Sequence, residues 1–360
     1  MLRYILKRLL IAIPTLIGIT IVTFCIIQLA PGDPADKSEE ESVVATTFSG
    51  QVTREVVERT RQLYGLDKPL LVNTRVWESD RDEYRELGFF GRLGAMFTDA
   101  QYPIWLARIV TWDFGTSYQD HRPVTGKVWE AFRVSLLFQV LSIALIYLIA
   151  IPLGVLSAIK RGTGTDRAIS LLLFLLYSLP NFWVATLLIV FLAGGEFLDL
   201  FPPQDLSSSD AAAMGGVAWL FDRLWHMILP VICLTYGGLA SLSRYARSGM
   251  LEVIGQDYIL TARAKGLSER QVIVKHAFRN SVLPIVTLLA TLLPALIGGS
   301  VIVETIFNIP GMGRLLFESF LARDYPVIMA VAFFSSGLVL LGMILSDVLY
   351  MLVDPRISLE

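Results

Sequence analysis

The sequence VSLLFQVLSIALIYLIAIPLGVLSAI, residues 134–159, carries no charged side chain along its whole length. An α-helix rises about 1.5 Å per residue, so about 20 apolar residues cross the roughly 30 Å of hydrocarbon in a bilayer. The stretch is long enough to do so. The whole chain is 54% hydrophobic and only 17% charged, which is too apolar for an ordinary soluble domain. The sequence therefore predicts a membrane protein.

Five more uncharged runs predict further spans, at residues 9–30, 168–195, 227–243, 281–303 and 325–346. We therefore expect an all-α integral membrane protein with six transmembrane helices. Pro180 interrupts the third run, and we expect a bend there because proline removes one helical hydrogen bond. The fourth run is short and contains Pro230 and the pair Gly237-Gly238. It predicts a kinked span whose ends the pattern does not define.

Basic residues in the short loops predict the orientation of the chain. Those that flank the first three runs are Arg3, Lys7, Arg8, Lys160, Arg161 and Arg167. Between the fourth and fifth runs, residues 244–280 hold seven basic and three acidic side chains. The positive-inside rule places these faces in the cytoplasm, so we expect both termini there. The loop 194–226 agrees, because it carries five acidic residues against one arginine.

The predicted spans divide the chain into four parts. Residues 1–30 form an N-terminal anchor helix, since the first run is longer than the apolar core of a signal peptide and no small-residue cleavage pattern follows it. Residues 31–133 form a large extracytoplasmic loop subdomain between helices 1 and 2. Its charged stretch WESDRDEYREL, residues 77–87, has the simpler interpretation of a solvated helix face. Residues 134–353 form the transmembrane core, and residues 354–360 are a C-terminal tail.

Motifs of catalytic and metal-binding proteins are absent from the sequence. It has no phosphate-binding loop G-x-x-x-x-G-K-[ST], no G-x-S-x-G and no H-E-x-x-H. The histidines His121, His226 and His276 are far apart, and Cys25 and Cys233 fall within predicted spans. We therefore expect no catalytic residue, no metal site and no nucleic-acid partner.

The segment YILTARAKGLSERQVIVKHAFRNSVLP, residues 258–284, is unusually basic and polar for a chain of this composition. Asp257 predicts an N-cap and Gly266 a left-handed helix end. Ser268 and Gln271 fit a capping box that starts a second helix. In that helix, residues 269–281, the spacing of Val272, His276 and Arg279 predicts one common side. We call residues 257–281 the basic hairpin.

The basic hairpin has two interpretations. Basic loops on the cytoplasmic face fix membrane orientation and touch anionic lipid headgroups, and most do nothing else. A docking surface for a partner is the alternative. Two sharply delimited helices with a glycine between them are more structure than orientation requires, which favours docking.

Four separated stretches resemble one family of transporters. TARAKG (261–266) followed by HAFRNSVLP (276–284) is similar to the coupling segment of ABC importer permeases that take up oligopeptides, dipeptides and nickel. Residues 8–36, the phrases LYGLDKPL (63–70) and DFGTS (113–117), and residues 301–328 and 346–357 resemble the first of the two permease subunits. The match runs along nearly the whole chain, with the motifs in the family's order.

The resemblance implies a function and a set of partners. The chain would be a non-catalytic permease in the bacterial inner membrane, paired with a homologous second permease. Two ATP-binding subunits, or one fused ATPase chain, would carry ATP and magnesium, and an extracytoplasmic binding protein would deliver peptide; membrane lipid surrounds the chain. The coupling segment would be residues 244–281. The residues that match the family's coupling pattern are Thr261, Ala262, Arg263, Lys265, Gly266, His276, Arg279 and Asn280.

A second implied site is a turn near the outer mouth of the pathway. The resemblance assigns to it Glu304, Phe307, Pro310, Gly311 and Gly313, as a gate that narrows the path. A carboxylate at the headgroup level also has a purely structural interpretation, and both stay open. For Asp347, inside the last apolar segment, a structural interpretation is favoured over a functional one: its side chain either reaches the headgroups or pairs with a loop arginine.

The chain departs from the family pattern in two places. Leu260, Thr261 and Ala262 stand where the general coupling motif has Glu-Ala-Ala, which suits the peptide branch. The outer loops are enlarged, around residues 71–111 and 194–216. These features resemble the branch that imports larger peptides and peptide-nucleotide antibiotics of the microcin C type. Peptide is favoured over nickel, because a metal pathway needs histidine or carboxylate ligands within the spans.

Two other functions are consistent with a multi-span chain. A secondary transporter or channel, working without ATPase subunits, usually shows paired broken helices and charges near the membrane midplane. The first five runs have no such charge. A membrane anchor that presents the first loop to partners would leave the basic hairpin without a role.

Overall fold

A computed structural model of the protein describes residues 2–29, 58–59, 61–62, 65–78, 84, 87–195, 197–281, 285 and 299–353. Within these ranges the chain is helical, and the only pairing of extended backbone is an isolated bridge between Thr116 and Pro123. The all-α prediction is therefore confirmed for the described residues. Most of the fifth predicted span, residues 282–284 and 286–298, and most of 31–64 lie outside them.

The α-helices in chain order begin in the first predicted span and end in the sixth. They are α1 (Leu2–Leu29), α2 (Phe89–Thr98), α3 (Gln101–Val110), α4 (Val124–Ile159), α5 (Gly164–Ser178), α6 (Asn181–Leu192), α7 (Gly216–Ile254), α8 (Asp257–Ala264), α9 (residues 269–281), α10 (Val301–Ile306), α11 (Met312–Ala322) and α12 (Tyr325–Val353). A 3₁₀ turn, Thr74–Trp77, precedes α2.

Four of these helices, α1, α4, α7 and α12, are long and apolar enough to cross a membrane in the described part of the chain. The bent pair of α5 and α6 makes a fifth if it is taken as one span. The four long helices and the bent pair coincide with predicted runs. The helices extend beyond the uncharged runs, because charged residues at a helix end reach the headgroups without leaving the helix.

The third span is broken where Pro180 predicts a bend. Helices α5 and α6 meet at 98° around Leu179 and Pro180. Tyr236 of α7 donates a hydrogen bond to the Leu179 carbonyl at 2.8 Å and lies 2.6 Å from the Asn181 side-chain oxygen. A carbonyl freed by a helix break needs a partner in an apolar medium. Tyr236 supplies it, which explains how a break of this size is stable there.

The fourth span is one uninterrupted helix of 39 residues, α7. It continues through Pro230 and the glycine pair that made its ends undefined in the sequence. A Cβ on Gly238 would lie 2.6 Å from Ile146 Cδ1 of α4. The glycine therefore serves close helix packing, and packing of this kind outweighs the low helix propensity of glycine.

The described chain divides into two compact units, residues 10–129 with 316–336 and the remainder. In the first unit, a buried cluster joins Phe24 and Ile27 near the end of α1, Tyr102 of α3, and Tyr325 and Ile328 at the start of α12. The end of α1 and the start of α12 therefore lie side by side. Asp324 belongs to the same unit and is fully buried; it accepts hydrogen bonds from the Ser117 hydroxyl at 2.5 Å and the Tyr118 N–H at 3.0 Å.

The second unit contains α4 to α10 and both ends of the chain. Near those ends, Arg8 of α1 forms an ion pair with Asp347 of α12 at 3.1 Å. This pair supports the structural interpretation of Asp347, although the partner is an arginine of the first helix and not of a loop. The first residues of α1 and the last turns of α12 consequently share one level.

Helices α4 and α7 approach most closely at Gly154. A Cβ at this position would lie 2.4 Å from the Ser243 carbonyl oxygen and 2.6 Å from Ala246 Cβ. Backbone atoms of a packed helix cannot yield to such a contact. Glycine is therefore required for the two longest spans to touch here.

We expect Gly154→Ala to lower the thermal stability of the detergent-solubilised protein, because overpacking of this kind costs about 1–3 kcal/mol. The matched control is Gly126→Ala in the same helix, where a Cβ meets nothing within 4 Å. Melting temperatures of the two variants measure the difference. Equal melting temperatures would contradict the proposed contact.

Candidate coupling hairpin and outer turn

The basic hairpin consists of α8, a tight turn and α9. Gly266 follows the end of α8 with φ of +78°, which is the left-handed conformation predicted for it. The Gly266 N–H donates to the Arg263 carbonyl at 2.9 Å. In α9, the Ser268 N–H donates to the Gln271 side-chain oxygen at 3.2 Å, as the predicted capping box requires. The local signals therefore define both the end of one helix and the start of the next.

The N-cap prediction for Asp257 is wrong by one residue. Gln256 has the extended conformation of an N-cap, and Asp257 is the first residue of α8. A carboxylate in the first helical turn is also favourable, because it faces the positive end of the helix dipole. A sequence pattern alone does not distinguish an aspartate at the N-cap from one in the first helical turn.

An ion pair crosses the glycine turn. The Arg263 guanidinium meets the Glu269 carboxylate through two bonds, of 2.7 Å and 3.2 Å. Hydrogen bonding to Arg263 holds the pKa of Glu269 below its ordinary value. The pair is partly exposed, so it contributes little free energy. Its two-point geometry nevertheless fixes the angle between α8 and α9.

The middle of α9, Val272–Phe278, is a π-helix. A π-helix bonds residue i to residue i+5, so its buried side follows a spacing of five. Val272 and Ala277 are both fully buried, and Ser281 continues their side. The predicted common side of Val272, His276 and Arg279 is wrong, because Val272 is buried whereas Arg279 is exposed.

Apolar packing joins the hairpin to two long helices. Its buried residues Ile259, Ala262, Val272 and Ala277 share one cluster with Met250 of α7 and Ala158 of α4. Asn280 donates to the Tyr258 hydroxyl at 2.9 Å, which ties the end of α9 to the start of α8. The hairpin, α4 and α7 thus meet in a single packed cluster.

The structure places all eight predicted coupling residues on this hairpin. Those on its exposed surface are Thr261, Lys265, Gly266, Arg279 and Asn280, those half-buried are Arg263 and His276, and the buried one is Ala262. The set therefore combines an outward surface with residues that hold the hairpin together.

Asp166 is a buried carboxylate near the basic hairpin that the sequence analysis did not identify. Asp166, at the start of α5, is buried and accepts two hydrogen bonds from Arg247 of α7, at 3.1 Å and 3.0 Å. The Ser157 hydroxyl of α4 donates to it at 2.5 Å and the Gly162 N–H at 3.0 Å. This network joins the loop between α4 and α5 to the second half of α7. The acidic residue among basic loop residues was the one available signal.

The predicted outer turn is built around Glu304, which is buried. Its carboxylate accepts from the Ser135 hydroxyl of α4 at 2.8 Å, the Ser300 N–H at 3.1 Å and the Arg314 N–H at 2.9 Å. Ser135 in turn accepts from the Met312 N–H at 2.8 Å. Glu304 thereby satisfies free N–H groups at the start of α11 and acts as a cap donated by another helix.

The other residues of the turn pack closely around this carboxylate. A Cβ on Gly311 would lie 2.4 Å from the Glu304 carboxyl carbon, and one on Gly313 would lie 2.6 Å from the Val301 nitrogen. Phe307 is buried in an apolar cluster with Phe138 of α4, Ala185 of α6 and Met227 of α7. These contacts support the structural interpretation of Glu304. The role of this turn as a gate remains a prediction.

We expect Gly266→Ala to loosen the basic hairpin, because a left-handed alanine costs about 1–2 kcal/mol. Hydrogen exchange of amides 257–281 measures the effect, with an acceleration of about fivefold or more. Gly255→Ala is the control, since Gly255 has φ of −81° and its Cβ would make only ordinary contacts. Unchanged exchange in the Gly266 variant would contradict the geometry.

We expect Glu304→Gln to lower the free energy of unfolding by about 1–3 kcal/mol, because an amide places donors against the N–H groups that the carboxylate accepts. Thermal unfolding in detergent measures the loss. Glu252→Gln, at an exposed position, changes the same charge without buried contacts. A loss of equal size in both variants would show that charge alone matters.

Comparison with known proteins identifies the family. Residues 150–359 match the family described as "Binding-protein-dependent transport system inner membrane component". The oligopeptide transport system permease protein AppB of Bacillus subtilis (strain 168) is 37% identical over 359 residues, which cover 99% of this chain and 100% of AppB. The dipeptide transport system permease protein DppB of Escherichia coli (strain K12) is 34% identical, with 99% of each chain covered.

Among solved structures, the MetNI methionine ABC transporter in an inward-facing conformation is similar in fold. The TM-score is 0.50 at 18% identity, covering 64% of this chain and 97% of the compared chain. At this identity the likeness shows the fold alone. The matched residues 150–359 include the basic hairpin and the outer turn, and the full-length relatives cover the rest. The chain therefore belongs to the inner membrane components of binding-protein-dependent transport systems, as a permease subunit.

Proposed function

We propose that the chain is one of two homologous permeases that form the pathway of an ATP-driven importer for peptides or peptide-like compounds. ATP hydrolysis takes place on separate subunits in the cytoplasm, and an extracytoplasmic binding protein delivers the substrate. The chain crosses the inner membrane six times with both termini in the cytoplasm. Peptide is supported by the relatives that cover the whole chain, which are oligopeptide and dipeptide permeases.

Several contacts support the proposed orientation. The ion pair of Arg8 with Asp347 brings the beginning of α1 and the last turns of α12 to one level. The Asp166–Arg247 pair does the same for the loop after α4 and the end of α7. These are the ends at which basic residues gather in the sequence. A cytoplasmic location for all of them satisfies the positive-inside rule.

The observation that carries the docking proposal is the apolar surface of the basic hairpin. Leu260 and Val274 are 55% and 59% exposed, and Tyr258 is 43% exposed. Orientation by positive charge needs no exposed leucine or valine beside the basic residues. A partner that covers them gains apolar burial, and the arginines and lysines around them add charge complementarity. This combination fits a protein surface.

Mechanical connection follows from the packing of the hairpin. Movement of an ATPase subunit against Leu260 reaches Met250 and Ala158 through the shared cluster, because a close-packed interior transmits displacement. The ends of α4 and α7 then move with the hairpin. At the opposite end of α4, Ser135 holds Glu304, so the same helix connects the hairpin with the proposed outer gate. ATP binding thereby changes access to the pathway.

The enlarged outer loops support a substrate from the larger-peptide branch of the family, the branch that includes microcin C uptake. Helix α2 and the 3₁₀ turn before it occupy the enlarged part of the first loop. The binding protein selects the peptide, and the permease pathway accepts what is delivered.

The test is recovery of the tagged chain from its native membrane in mild detergent, followed by mass spectrometry and an ATPase assay. We expect a second permease, ATP-binding subunits and ATP turnover in the recovered complex. Recovery of a stable chain alone, which moves peptide down a gradient in liposomes without ATP, would instead establish a secondary transporter or channel.

We expect Leu260→Glu to reduce recovery of the ATPase subunits and ATP-dependent uptake at least about tenfold, since a charge at an interface costs on the order of 1.4 kcal/mol or more. Leu260 is exposed within the chain, so folding and melting temperature stay unchanged. Leu260→Met preserves the apolar surface and is the matched control. If the glutamate variant retains its ATPase subunits, docking on the hairpin is wrong.

A further inference from the structure

Helix α2, in the enlarged outer loop, presents an apolar stripe that no described residue covers. Phe89, Phe90 and Phe97 are 64%, 84% and 54% exposed, and Leu93 lies between them on the helix surface. At 100° per residue these side chains fall within about a third of the circumference. Thr98, Gly91 and Gly94 occupy the other side. The helix is therefore amphipathic with its apolar side outward, the reverse of a helix that packs on its own core.

Polar contacts hold α2 in this orientation. Asp99, directly after the helix, forms an ion pair with Lys68 at 2.5 Å and accepts a hydrogen bond from the Tyr84 hydroxyl. The Asn73 N–H donates to the Met96 carbonyl at 2.8 Å. The Trp77 ring contacts Phe89 in a tilted arrangement with ring centroids 5.6 Å apart, which adds an aromatic ring to the stripe. These contacts therefore fix the direction in which the apolar side of α2 faces.

The segment that follows α2 packs against two of the predicted spans. The Tyr102 hydroxyl is 3.0 Å from the Thr20 hydroxyl of α1, and the Trp112 ring contacts Phe334 of α12 at 6.1 Å. Thr20 is nine residues before the end of α1 and Phe334 nine residues after the start of α12. At about 1.5 Å per residue each is roughly 14 Å from the outer end of its span. Both helices are longer than the roughly 20 residues that cross the hydrocarbon, so these contacts put the segment near the outer boundary of the bilayer, where the Trp112 ring is exposed.

We propose that α2 lies in the outer leaflet and binds lipid through Phe89, Phe90, Leu93 and Phe97. Phenylalanine, leucine and tryptophan on one side of a helix are typical of interfacial helices, which bury that side about 5–10 Å into the headgroup and acyl boundary. Trp77 and Trp112 are the side-chain type that concentrates at this depth. The loop subdomain is thereby anchored to the membrane surface, independently of the transported substrate.

The test places an environment-sensitive fluorophore on single cysteines of the full-length protein in nanodiscs, with Cys25 and Cys233 replaced by alanine. Phe89→Cys is the probe position. Thr98→Cys is the control, because nine residues of α-helix are two and a half turns and put it on the opposite side. We expect emission of the Phe89 probe to shift to shorter wavelength and to be quenched by doxyl-labelled lipid. We expect the Thr98 probe to be quenched by aqueous iodide.

Two results would overturn the proposal. One is equal iodide quenching at both positions, which means that the stripe faces water. The other is a blue shift at Phe89 that appears only when the second permease or the binding protein is added, which assigns the stripe to a protein partner. Quenching of the Phe89 probe by doxyl-labelled lipid in the isolated chain supports insertion of the stripe into the membrane.

Discussion

Apolar packing between the basic hairpin and the ends of α4 and α7 is the interaction on which the proposed mechanical coupling depends. Ile259 and Val272 are fully buried in a cluster with Met250 and Ala158. Each such side chain contributes about 1.5–3 kcal/mol by leaving water. The Arg263–Glu269 pair adds little energy but fixes the turn. A hairpin attached only by its charges would swing freely, and motion applied to it would be lost before it reached the spans.

Close helix approach makes that cluster possible. Gly154 and Gly238 remove the side chains that would separate α4 from α7. In a bilayer, apolar side chains gain little by leaving lipid for protein, so contact between spans depends on van der Waals packing and hydrogen bonds. The glycines allow the close van der Waals packing. Hydrogen bonds are supplied by the Asp166–Arg247 and Ser135–Glu304 contacts, which lie at opposite ends of the long helices α4 and α7.

Features encoded over a few residues could be predicted from the sequence. Uncharged runs predicted the four long apolar helices and the bent pair of α5 and α6, Pro180 predicted the break within that pair, and Gly266 predicted the left-handed turn. Features that depend on distant residues could not. The continuity of α7 through Pro230 depends on its neighbours, and the partners of Glu304 and Asp166 come from other helices. The sequence identified Glu304 as a candidate through resemblance, and it contained no signal for the Ser135 hydroxyl that binds it.

The π-helical stretch Val272–Phe278 has a consequence for how this protein tolerates changes in length. A π-helix holds about one residue more than an α-helix over the same rise, as if one residue had been inserted into α9. Deletion of a single residue within this stretch would return it to α-helical geometry and leave Gly266 before it and Ser281 after it in place. The same deletion in α8 would turn Ile259 and Ala262 out of their cluster. Natural length variation in the hairpin is therefore expected to concentrate in its second helix.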